Sequence, residues 1–125
     1  MGKSLKSKIA AVVSMDEKMK NQIIYNTRSR IHSWTEILRR SMPKLHEKYK
    51  VRNLGIFGSY ARNESLENSD LDLLVEFEKP IGWAVVDLKD FLESLLGIKV
   101  DLVPKNAAVR KKELWKSIQE DLINV

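Results

Sequence analysis

LGIFGSYARNESLENSDLDLLVEF, residues 54–77, is the stretch whose reading decides the fold. It joins two short apolar runs, VRNLGIF (51–57) and LDLLVEF (71–77), whose β-favouring residues predict two strands separated by a polar segment. Gly58 and Ser59 follow the first run at once, where a strand ends and a turn or helix N-terminus begins. Glycine there lets the backbone approach a phosphate, serine adds a hydroxyl donor, and the free N–H groups of a helix start favour an anion. Arg62, one turn further on, can aim its fork at the same phosphates. Taken alone, a Gly-Ser pair fits an ordinary strand-to-helix turn as well.

Asp70 and Asp72 change that balance. Residues two apart on a strand project to the same face about 6–7 Å apart, so both carboxylates can converge while Leu71, Leu73 and Val75 face the other way. Two such acids repel each other unless a cation lies between them, and Mg²⁺ accepts one or two carboxylates plus substrate phosphates. A third acid, Asp101, sits within IKVDLV (98–103), a third β-favouring run, where a charge is costly unless paired or on metal. If that strand lies beside 71–77 with Asp101 on the same face, three acids form a two-metal site.

Working outward, WAVVDLKDFLESLLG predicts an amphipathic helix with Val85, Val86, Leu88, Leu92, Leu95 and Leu96 inward, ended by Gly97 as a left-handed cap. A last helix is predicted from Arg110 to Ile123, with Leu114, Trp115, Ile118 and Leu122 inward. Upstream, residues 4–25 have roughly helical apolar spacing, TRSR (27–30) reads as a connector, and Ser33 with Glu36 matches a capping box for a helix over 34–40. Pro43 predicts a break near Ser41, then a short helix to Tyr49. The expected organisation is a basic helical extension, residues 1–30, and one domain, residues 31–125. Its fold class is α/β (α+β): a small mixed sheet of about three core strands packed by helices.

Composition narrows the chemistry. With no cysteine there is no thiolate nucleophile or thiolate metal site, so hard cations on oxygen ligands are expected. No apolar run reaches membrane-spanning length, which predicts a soluble, cytoplasmic protein with no membrane partner. Residues 1–50 hold 12 Lys/Arg against 4 Asp/Glu, while residues 51–125 hold 10 against 13. The basic first part suits contact with nucleic acid or an acidic partner, and equally a solvated helix surface. His32 and His46 read as surface or packing histidines. Trp34, Trp83 and Trp115 read as core or interface anchors, with Trp83 in a loop able to border a nucleotide.

Gly58-Ser59, ten intervening residues and then Asp70-x-Asp72 resemble the signature of the DNA polymerase β-like nucleotidyltransferase superfamily, and specifically its minimal nucleotidyltransferases. The resemblance spans roughly residues 33–122 and implies a polymerase β palm-like fold. It further implies that Gly58, Ser59 and Arg62 bind the NTP phosphates, and that Asp70, Asp72 and Asp101 are the catalytic acids and hold the metal, two Mg²⁺ ions. Where family members often carry glycine after the arginine, this chain has Asn63, which tolerates a left-handed backbone better than most residues. The implied reaction moves a nucleoside monophosphate, AMP from ATP, onto a hydroxyl. The implied acceptor is a tyrosine of a HEPN-domain toxin, with this chain as antitoxin. Transfer to RNA or a small molecule, a non-catalytic binding antitoxin, and a homo-oligomeric state are the open alternatives.

Overall fold

The computed structural model describes residues 17–66 and 68–125. In chain order these form α1 (Glu17–Tyr49), β1 (Val51–Phe57), α2 (Gly58–Ala61), β2 (Leu71–Phe77) and α3 (Ala84–Leu96). Then follow β3 (Val100–Pro104), α4 (Lys105–Ala108), α5 (Lys112–Asp121) and β4 (Ile123–Asn124). The first two strands have the predicted bounds. The mixed sheet has the order β3-β2-β1-β4: β2 is antiparallel to β1 and parallel to β3, and β4 is antiparallel to β1. A parallel pair needs a crossover connection, which α3 supplies between β2 and β3.

The period-2 alternation of the strands sorts side chains onto two layers. Val51, Leu54 and Ile56 of β1 and Leu71, Leu73 and Val75 of β2 join the larger core. Trp34, Leu38 and Leu45 of α1 and Leu88, Leu92 and Leu96 of α3 cover that face. On the other face Phe57 and Leu74 meet Ala108 of α4 and Ile118 of α5 in a smaller cluster, with Val103, Trp115 and Leu122 packed against it. As predicted, Gly97 caps α3 in the left-handed conformation at φ 69°, donating its N–H to Glu93 O at 2.9 Å. The Leu96 carbonyl, left over at that helix end, accepts Trp34 Nε1–H at 3.2 Å. Among the residues expected inward, Val86 and Leu114 are instead exposed.

Three local expectations are corrected. Residues 27–30 are helical, Ser33 is no N-cap, and no break occurs at Ser41 or Pro43: one helix runs from Glu17 to Tyr49, straight through residues 30 and 31. Packing overrides the local signals. Trp34, Leu38, Leu45 and Tyr49 form one buried stripe on both sides of Pro43, so the helix is held where the proline removes a hydrogen bond. Pro43 and Arg39, whose carbonyl loses its partner, are exposed to water. Ser41 Oγ bonds back to Ile37 O at 2.9 Å rather than capping a new helix, and Glu36 pairs with Arg39. Residues 1–16, and with them most of the helix expected over 4–25, lie outside the described residues. Strand β4 was not anticipated. No helix among the described residues is long and apolar enough to cross a membrane.

Candidate active site

Where β1 ends, Phe57 is extended and Gly58 turns to φ 78°, starting α2. Two constraints require glycine here. The backbone is left-handed, and a Cβ would stand 2.0 Å from Asp72 Oδ2. The turn then closes tightly: Arg62 N–H bonds to Gly58 O at 3.1 Å, Asn63 N–H to Tyr60 O at 3.2 Å and Glu64 N–H to Ser59 O at 2.8 Å. Asn63 takes φ 59°, the conformation for which glycine or asparagine is suited.

The described residues between Glu64 and Asp70 are tied down from several sides. Ser65 and Thr27 of α1 are both buried, with their hydroxyls 3.5 Å apart. Ser69 Oγ accepts Leu66 N–H at 2.9 Å, and Tyr60 Oη–H donates to Ser69 O at 3.3 Å. Tyr60 in turn meets Trp34 edge-on, centroids 5.0 Å apart, with the Arg30 guanidinium 4.7 Å from the Trp34 ring and 5.5 Å from that of Tyr60.

Asp72 is the second residue of β2. It pairs in register with Phe57 across the antiparallel ladder and with Asp101 across the parallel one. In-register neighbours on adjacent strands project to the same face, so Asp72 and Asp101 stand side by side. The Asp72 carboxyl is pushed up from 3.8 to about 6, first by burial, then by the charge and hydrogen bond of Asp101 and the charge of Asp70, while Arg62 acts the other way. Asp70 is exposed, just ahead of β2, and Asp101 is exposed rather than sequestered within its strand.

The acids therefore crowd a half-buried carboxylate with more negative charge than the neighbouring arginine balances. An oxygen-only donor set of this kind fits a hard divalent cation such as Mg²⁺. Among the described residues no three acids or histidines already stand as a finished ligand set. Asp72 and Asp101 are the assembled pair, with Asp70 within electrostatic reach.

Arg62 sits at the edge of this group, held by partners that local sequence patterns did not reveal. Its Nε–H donates to Glu64 Oε2 at 3.0 Å and its Nη1–H to Asp121 Oδ2 at 2.7 Å, bonds that hold the guanidinium above its ordinary value, with Asp121 the stronger cause. His46 bonds through Nδ1 to Val51 O at 3.2 Å, a packing role, and His32 is exposed. Trp34 is a core residue and Trp115 is half-buried against the smaller cluster. Trp83 is 90% exposed, beyond the end of β2 remote from Asp72, so it does not border the acids.

The model of the nucleotidyltransferase domain family matches residues 38–125. A Methanocaldococcus jannaschii chain provisionally named a protein adenylyltransferase is 55% identical, covering 72% of this chain and 92% of its own. The protein adenylyltransferase MntA of Thermococcus cleftensis is 40% identical, covering 71% of this chain and 89% of its own. Among solved structures, one described provisionally as a minimal nucleotidyltransferase superposes with a TM-score of 0.59 at 31% identity, covering 82% of this chain and 95% of its own. A chain from a crystal structure of a toxin-antitoxin with AMP-PNP superposes with a TM-score of 0.55 at 26% identity, covering 68% and 69%. The glycine turn packed on Asp72, the acids aligned by the β2–β3 register and these likenesses agree: the chain belongs to the nucleotidyltransferase domain family, close to its minimal members.

Proposed function

We propose that this nucleotidyltransferase moves AMP from ATP, with Mg²⁺, onto a tyrosine hydroxyl of a partner HEPN-domain toxin, and so acts as its antitoxin. The observation that carries the chemistry is the register that sets Asp72 beside Asp101, with Gly58 against the Asp72 carboxylate. Gly58 brings bare backbone to the phosphates, Ser59 adds its hydroxyl, and Arg62 contributes charge-assisted hydrogen bonds. Asp70, Asp72 and Asp101 would hold the metal, which when bound would neutralise charge on the α-phosphate and on the departing pyrophosphate. The acceptor oxygen attacks the α-phosphorus, the bond to the pyrophosphate oxygen breaks, and the hydroxyl proton passes to Asp101. Because Asp101 is exposed, a side chain carried by another protein can reach it. The acceptor assignment is supported by the protein adenylyltransferase relatives and by the toxin-antitoxin structure of similar fold.

The test is to incubate the chain with ATP, Mg²⁺ and a candidate HEPN-domain partner, the product of the neighbouring gene first, and to read intact mass. Added AMP on a partner tyrosine is the expected result, abolished by Asp70→Asn with Asp72→Asn. Absence of an adduct with folded proteins would overturn the acceptor, and transfer to RNA or a small hydroxyl compound would replace it.

A further inference from the structure

Asp121 stands where local physics disfavours it. It is the last residue of α5, whose last turn holds no basic side chain, so its carboxylate faces the negative end of the helix dipole. A residue that opposes its local setting needs a compensating partner, and here that partner is Arg62, 59 positions away in sequence, at 2.7 Å. The Asp121 side chain is only 14% exposed, against 38% for Arg62 and 55% for Glu64, so it is the better shielded arm of the clasp. Its backbone is also firmly mounted, because Ile123, two residues on, pairs with Ile56 of β1, the strand that ends in the Gly58 turn.

We propose that Asp121 is a positioning residue for Arg62, clamping the guanidinium beside the acids so that its unused donors meet the phosphates of a nucleoside triphosphate. Arginine carries five N–H donors in a rigid fork. Glu64 takes Nε–H and Asp121 takes one Nη1–H, which leaves three for a ligand. Unclamped, the guanidinium has a stronger attraction close by, since Asp70, Asp72 and Asp101 together carry up to three negative charges and Arg62 is near enough for its own charge to be felt at Asp72. Asp121 thus keeps Arg62 from closing onto the group that a cation is suited to fill. The inference rests on the reading of Arg62 as a phosphate ligand given under the proposed function.

The test is binding of MgATP, followed by titration calorimetry without any acceptor, for wild type, Asp121→Asn, Asp121→Glu, Arg62→Gln and the double variant Arg62→Gln with Asp121→Asn. Asp121→Asn should weaken binding about tenfold, as loss of a charge-assisted bond does, and Asp121→Glu should restore most of it. In the Arg62→Gln background Asp121→Asn should add no further loss, which a merely structural role for Asp121 would not produce. Unchanged binding by Asp121→Asn, or an equal loss with and without Arg62, overturns the clamp. Should Asp121→Asn unfold, Glu64→Gln removes the exposed arm of the clasp and is read against the same Arg62→Gln background. A wild-type chain that binds no MgATP overturns the phosphate reading itself, whereas a binding wild type with an indifferent Asp121→Asn overturns only the clamp.

Discussion

Replacing Asp72 by asparagine should make the metal-free protein more stable while removing its response to Mg²⁺. The Asp72 carboxyl is held at about 6 instead of 3.8 because burial and the neighbouring acids penalise its charge. For a fully shielded group that difference corresponds to about 3 kcal/mol. Asp72 is only half-buried, so water screens the effect to about 1 kcal/mol. The folded state holds this proton more tightly than the unfolded chain. Wild-type stability therefore declines as pH rises from 3.8 to about 6, and the loss is complete above that window. Asparagine has no charge to lose and can donate to Asp101, so Asp72→Asn should gain nothing below the window and about 1 kcal/mol above it. That corresponds to about 3–5 °C in Tm for a chain of this size. Scanning calorimetry in chelator at pH 3 and pH 8 measures both limits. Adding Mg²⁺ at pH 8 should then raise wild type by mass action and leave the variant unmoved. A variant less stable than wild type at pH 8 in chelator, or one whose advantage is the same at both pH values, would refute this account of the acids.

Two further substitutions probe the turn and the long helix. Gly58→Ala combines a left-handed backbone with a Cβ 2.0 Å from Asp72 Oδ2; it should abolish MgATP binding and cost about 2 kcal/mol or more in urea denaturation. Pro43→Ala should stabilise the protein by about 1–3 kcal/mol, since the helix already continues through this exposed position without the missing hydrogen bond; a loss of stability would show that Pro43 makes a packing contribution.

Much of the fold was legible because its signals are local. The bounds of β1 and β2 and the Gly97 cap follow from residue types within one element or one turn, and the spacing from Gly58-Ser59 to Asp70 can be read directly along the chain. Asp101 needed more, because a slip of one residue in the β2–β3 register would have put it on the opposite face from Asp72. The continuous α1 was not legible: Ser33, Ser41 and Pro43 are honest local signals for caps and a break, overruled by a stripe that packs against residues far along the chain. Strand β4 is two residues that become a strand only by pairing with Gly55 and Ile56. The ties of Arg62 to Asp121 and of Ser65 to Thr27 join segments distant in sequence, and no spacing rule reaches them.

Trp34 touches both halves of the candidate site's scaffold. Its ring edge meets Tyr60 in the glycine turn, and its indole N–H holds the final carbonyl of α3, four residues before β3 begins. One side chain thus acts as a common datum for two segments that are otherwise joined through the variable geometry of a surface loop. The exposed residues Lys79, Pro80, Gly82 and Trp83, between β2 and α3, should accordingly accept substitution without misaligning Asp101 against Asp72, because the far end of α3 is indexed to α1, while Ile81 packs on the larger core and Glu78 N–H bonds to Lys50 O. The tolerance for alteration in this protein should therefore be greatest there, within a single connection of the chain that carries the acids.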